Sequence, residues 1–223
     1  MNHLDNIAER IRGEFDAHTA ARDEALSQAR TLTRHCARAI RAIHRDEEDA
    51  AQEHLAHAHT LAEALRTGLS EYPNLYFAGY TQDALKEYAE ANIVYALINN
   101  GVLPSPQDLQ LENATYLKGL AEAIGEMRRR CLDILRHGYS EEAERLLSHM
   151  DEIYGVLVTM DYPDAVTHGL RRLTDISRGI VERTRGDMTL SLREERLEDG
   201  FRNLESRLER FSDDLSTSKD ATG

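Results

Sequence analysis

The first proline of the chain is Pro73, and only Pro104, Pro106 and Pro163 follow it. Proline is the residue that a helix interior tolerates least, since its ring clashes with an earlier carbonyl and it has no N–H to donate. Between those points run alanine, glutamate, arginine and leucine, which favour helix most, with apolar positions recurring at helical period. This pattern predicts an all-α protein. At 223 residues and 41% hydrophobic, the chain can bury a sizeable core. No apolar run reaches the ~20 residues needed to cross a bilayer, and the start, MNHLDNIAERIRGEF, lacks the unbroken apolar stretch of a signal peptide. A cytoplasmic location is therefore expected. Cys36 and Cys131 are too few for a disulfide framework and read as packed thiols.

Caps and breakers divide the chain into helices over Leu4–Asp16, Ala20–His44 and the segment DEEDAAQEHLAHAHTLAEALRTGL, with a turn at Pro73. The next starts near Gly79 and ends at NNG, where Gly101 suits a left-handed residue. Ser105, Pro106 and Asp108 form a strong start signal for a helix that runs to about His137 and stops at Gly138. Ser140 opens another, DYPD from Asp161 a seventh, and two helices are expected past Gly186 and Gly200. One domain, 1–212, is followed by a tail, 213–223, expected to be disordered. Short loops make neighbouring helices antiparallel.

The formal net charge of −13 argues against non-specific coating of nucleic acid, whose phosphates the average surface repels. Lysine occurs only at Lys86, Lys118 and Lys219, whereas arginine and carboxylates abound. Such a surface suits a salt-rich, halophilic cytoplasm, where screening shortens long-range repulsion.

Three clusters stand out. In ALKEYAEANIVYALI, Glu87 and Glu90 share a helical sector with Val94, Leu97 and Ile98, where an unpaired charge costs several kcal/mol. A divalent cation between the two would compensate them; so would buried arginines or a subunit contact. In YLKGLAEAIGEMRRRC, Tyr116, Leu120, Ile124, Met127, Cys131 and Ile134 make an apolar face, opposite Glu122 and Glu126 with Lys118, Arg129 and Arg130. That polar face is either solvated and paired within the helix or looks into an aqueous cavity with Glu87 and Glu90, where Mg²⁺ or Mn²⁺ would bind. In ARTLTRHCARAIRAIHR, Arg30, Arg34, Arg38, Arg41 and Arg45 line one sector. Their counterpart is nucleic-acid phosphate or an acidic helix. His54, His57 and His59 read as a wet helix surface. Glu-x-x-His, the sign of a di-iron carboxylate bundle, is absent from the sequence.

The stretches ARAIRAIHR, YFAGYTQDALKEYAEANIVYALINNGVLPS, YLKGLAEAIGEMRRRCLDILRHG and MDYPDAVTHGLRRLTDISRGIVERTRGDM, in that order, resemble the translin family, and within it the translin-associated factor X (Trax) branch and its archaeal relatives. The resemblance implies a seven-helix antiparallel bundle that closes into an octameric shell. It also implies a metal-dependent endoribonuclease acting on RNA held inside. By that resemblance Glu87, Glu90 and Glu122 are catalytic, the same three with Glu126 hold Mg²⁺ or Mn²⁺, and Arg129, Arg130, Arg34, Arg38, Arg41 and Arg45 contact nucleic acid. Glu122 stands where Trax proteins commonly carry aspartate, which would shift the metal by about one carbon–carbon bond. The implied partners are single-stranded or nicked RNA, single-stranded DNA, further copies of the chain and a second translin-family subunit. The alternative is a non-catalytic, translin-like nucleic-acid-binding oligomer.

Overall fold

The computed structural model describes residues 2–220, with side chains from 3 to 210. The expected tail, 213–223, lies where side chains are outside the described residues. Among the described residues there is no strand. The elements are α1 (Asn2–His44), α2 (Glu48–Gly68), α3 (Pro73–Tyr76), α4 (Gly79–Ile98), α5 (Asn113–Leu135), α6 (Glu141–Thr159), α7 (Asp164–Thr167) and α8 (Leu170–Asp220). Six are long; α3 and α7 are single turns. Among the described residues no helix is long and apolar enough to cross a membrane.

The central element is α4. Leu85, Tyr88, Ile93, Val94 and Leu97 are buried on different sides of it, as expected of a helix that packs on several neighbours. α1 and α2 cover one flank and α5 the other, with α6 and α8 beyond α5. Arg145 of α6 ties this layer to the centre by donating to Leu97 O at 2.8 Å and Ile98 O at 3.1 Å, carbonyls that the end of α4 leaves without intrahelical partners.

Several boundaries differ from those the sequence suggests, each for a local reason. The two N-terminal helices are one, because Gly13 alone costs only ~1 kcal/mol in a helix and no proline separates them. The left-handed residue after α4 is Asn100 (φ 54°), not Gly101. Asparagine tolerates that region, and the Gly101 N–H closes the end onto Ala96 O at 2.7 Å. Ser105 and Asp108 do cap each other reciprocally, but the turn they start stops at Gln110 (φ 53°) as Leu109 and Leu111 enter the core. α5 therefore begins at Asn113. Ser140 caps α6 as expected, accepting from the Glu142 N–H at 3.1 Å. The DYPD helix ends after one turn at His168 (φ 49°) and Gly169 (φ 88°), and α8 runs unbroken through Gly186 and Gly200. His54 is not simply wet: it packs edge-on against His35 of α1, ring centroids 5.3 Å apart.

The contact that sets the site is between α4 and α5 at Gly119. A β-carbon there would lie 2.6 Å from the Ala89 β-carbon, 2.9 Å from Lys86 O and 3.0 Å from the Glu90 nitrogen. Two of these three are backbone atoms, which cannot turn aside. Gly119→Ala is accordingly expected to lower stability by about 1–3 kcal/mol, read by chemical denaturation. Gly125→Ala, on the same helix with nothing within 4 Å, should be neutral or stabilising by up to ~1 kcal/mol.

Candidate metal centre

The close approach at Gly119 brings together acids from two helices. Glu87 and Glu90 project from α4, one turn apart, and Glu122 projects from α5 one turn beyond Gly119. One carboxylate oxygen from each lies within 4.8 Å of the others. Three oxygen donors around one point suit a hard divalent cation, which takes oxygen ligands at about 2.0–2.6 Å depending on the ion. Oxygens on opposite sides of such an ion stand about 4–5 Å apart, so the spread of the trio fits it.

The three acids differ in surroundings. Glu90 is 8% exposed and has no hydrogen bond or ion pair among the described residues. Burial, then the charges of Glu87, Glu122 and Glu126, push its carboxyl up to about 8, against a smaller opposing pull from Lys86. Glu87 and Glu122 are half-buried, and the Lys86 ammonium sits between them, 3.1 Å from Glu87 Oε1 and 2.5 Å from Glu122 Oε2. Burial works against the Lys86 charge, yet the two ion pairs outweigh it and raise its titration above the ordinary lysine value. On the α1 side Cys36 is fully buried, and desolvation, with Glu87 and Glu90 nearby, raises its thiol far out of reach of ionisation. Cys131 is buried as well, so both thiols are packing groups as the sequence suggests.

Glu126 stands apart from the trio. Its carboxylate meets His44 Nε2 of α1 at 2.5 Å and Arg129 at 3.5 Å, and the His44 hydrogen bond, which outweighs burial, holds it below the usual carboxylate range. The cluster thus contains Glu87, Glu90 and Glu122 of the four acids expected to hold metal, and Glu126 is already partnered.

The arginines also divide. Arg129 is half-exposed and, among the described residues, bound only to Glu126. Arg130, by contrast, is 16% exposed and spans Asp46 at 3.0 Å and Glu142 at 3.5 Å, a brace from the α1–α2 turn to α6. Arg34, Arg38 and Arg41 are exposed with no acidic partner among the described residues, and Arg45 reaches only Glu47, at 4.0 Å. Arg30 of this row lines a groove with Leu26, Thr33, Tyr80 and Glu87, so the stripe begins beside the acidic site.

Lys86 and His44 are the residues that sequence reasoning passed over. Both were visible in the motifs, Lys86 as a lysine in an arginine-rich chain and on its most apolar helix. Their partners, however, are on other helices, and no spacing reveals that.

No family model matches the chain. An uncharacterized protein of Methanocaldococcus jannaschii is 32% identical over 188 residues, 83% of each chain. Among solved structures, AfC3PO in complex with duplex RNA is 34% identical, covering 82% of this chain and 95% of its own, with a TM-score of 0.77. Another AfC3PO crystal structure, at 33% identity, gives the same TM-score. Apo-NeC3PO, 22% identical over 86% of this chain, shares the fold at a TM-score of 0.75.

The displaced titration of Glu90 has a consequence for stability. The folded chain keeps this proton up to about pH 8, while an unfolded carboxyl releases it near 4.5. Between those values the native state binds more protons than the unfolded one, so stability falls as pH rises through the window and levels off above it. In the absence of divalent cations, Glu90→Gln should remove this slope. The variant should gain a few kcal/mol over the parent at pH 8 and little at pH 4.5, measured by urea unfolding at each pH.

Proposed function

Since C3PO structures are those of translin-family chains, these likenesses mean that the chain belongs to the translin family, and we propose that it is a Trax-like, divalent-metal-dependent endoribonuclease that acts as a homo-oligomer. The observation that carries this reading is the convergence of Glu87, Glu90 and Glu122 from two helices to within 4.8 Å. A relative solved with duplex RNA supports the substrate class.

Glu87, Glu90 and Glu122 would hold Mg²⁺ or Mn²⁺. A cation of this kind polarises a phosphodiester oxygen and acidifies a bound water. Glu126 stays ionised through His44 and Arg129, and its role is to keep Arg129 oriented at the rim of the site. Arg34, Arg38 and Arg41, exposed and without an acidic partner among the described residues, and Arg129, held by Glu126, would meet phosphates. Arg130 contributes to the frame that holds α5. Large apolar residues stand exposed on the far part of α8, with Leu190, Leu197, Phe201, Leu204 and Leu208 each more than half exposed at alternating three-, four- and seven-residue steps. Leu4 and Phe15 do the same on α1. Uncovered stripes of this kind mark contact surfaces, and they support assembly with further copies, by family likeness an octamer in the cytoplasm. Co-assembly with a second translin-family subunit and binding of single-stranded DNA belong to the same reading.

The Lys86 ion pairs favour a second reading, a non-catalytic RNA-binding oligomer in which a lysine permanently neutralises the acids. Labelled RNA incubated with Mg²⁺ or Mn²⁺ separates the two. Cleavage is expected to stop in EDTA and to fall about 100-fold or more in Glu87→Ala or Glu122→Ala; cleavage that persists in EDTA would exclude the nuclease proposed. For binding, the slope of log K against log salt should shrink by about one for each of Arg34→Ala, Arg38→Ala and Arg41→Ala. A wild-type slope of zero would rule out phosphate contacts.

A further inference from the structure

Lys86 is an odd occupant of an acidic site in a chain with only three lysines. Its side chain is 14% exposed, and its ammonium bridges α4 and α5 by touching Glu87 and Glu122. The third acid, Glu90, is more than nine-tenths buried, has no polar partner among the described residues, and brings one oxygen within 4.8 Å of a carboxylate oxygen of each of the two acids that Lys86 touches. One positive charge thus serves Glu87 and Glu122 directly, and the most buried acid of the three is the one without a partner among the described residues.

We infer that Lys86 is a tethered competitor for the cation site: its ammonium and a divalent ion draw on the same oxygens of Glu87 and Glu122, so binding of one expels the other. The inference rests on the trio being the cation site proposed above. Two cations within about 3 Å of each other repel strongly unless both are well hydrated, and the trio lies where α4 packs on α5. The identity of the residue fits this role. An arginine would grip a carboxylate with two parallel bonds and a rigid fork, whereas lysine is a point charge on a flexible four-carbon stem that can leave. When expelled, Lys86 remains on the same turn of α4 as Glu87.

The exchange has a signature that simple repulsion lacks. Manganese binding by the full chain, followed as loss of the free Mn²⁺ spin-resonance signal, should be about tenfold tighter in Lys86→Met and weaker than wild type in Lys86→Arg. In EDTA, Lys86→Met should melt below the wild type, because the acids have lost their counter-ion, and added Mn²⁺ should close that gap. If the lysine merely repelled the ion from a distance, Lys86→Arg would bind as the wild type does; that result, or unchanged affinity in Lys86→Met, overturns the inference while leaving the nuclease reading intact. Failure of both the wild type and Lys86→Met to bind Mn²⁺ overturns both. Should Lys86→Met not fold without metal, the comparison of Lys86→Arg with wild type decides alone.

Discussion

The approach of α4 to α5 across Gly119 is the constraint on which the site depends. Helices ordinarily pack 8–10 Å apart, with side chains setting the gap. Here a residue without a β-carbon faces the Ala89 methyl and the backbone at Lys86 and Glu90. The approach therefore occurs on the very turns that carry the acids. Glu90 is part of the contact, and Glu122 follows Gly119 by one turn. A wider crossing would separate the α4 carboxylates from the α5 carboxylate, and no rotamer change on one helix would restore three oxygens to one point. The site is thus a property of the helix crossing as much as of the glutamates.

Placing acids at a close crossing creates an electrostatic problem that the fold solves in two ways. Glu126 has a fixed solution: a buried histidine from α1 and an arginine on its own helix hold it ionised. The trio has a partial one, in which Lys86 compensates Glu87 and Glu122 and leaves Glu90 with its titration displaced upward. Full compensation by arginine, as at Arg130 with Asp46 and Glu142, would have produced a stable brace of no use for binding. Incomplete compensation is costly when charges are buried. It is what the exchangeable cation proposed above would require.

Much of this was legible in the sequence, but unevenly. The all-α class follows from proline placement and periodicity, and the shared sector of Glu87 and Glu90 follows from helical geometry alone. The apolar face of α5 is buried as its pattern predicts, apart from the half-buried Ile134 near its end. What could not be read is long-range. Spacing places Glu122 and Glu126 on one face but cannot show that the first meets Lys86 and the second His44, since those partners lie on α4 and α1. Local signals also mislead where tertiary packing overrides them. The Ser105–Asp108 cap is real, yet burial of Leu109 and Leu111 ends its helix after a turn, and Gly13, Gly186 and Gly200 interrupt nothing.

The arginines show why net charge is a poor guide to partners here. Arg128, Arg130 and Arg145 are spent inside the fold, on Asp187 and Thr184, on Asp46 and Glu142, and on the carbonyls that end α4. The acids they engage count toward the −13 but present little field. The row from Arg30 to Arg41 has no such partners among the described residues, and its first member shares a groove with Glu87. A phosphate chain laid along α1 would meet four guanidinium groups in succession and be led at one end to the trio. Within a few ångströms, less than one Debye length at physiological salt, that local row outweighs the repulsion of a distant acidic surface. On the function proposed above, the overall sign would act against RNA elsewhere on the molecule and leave this row as the favoured approach.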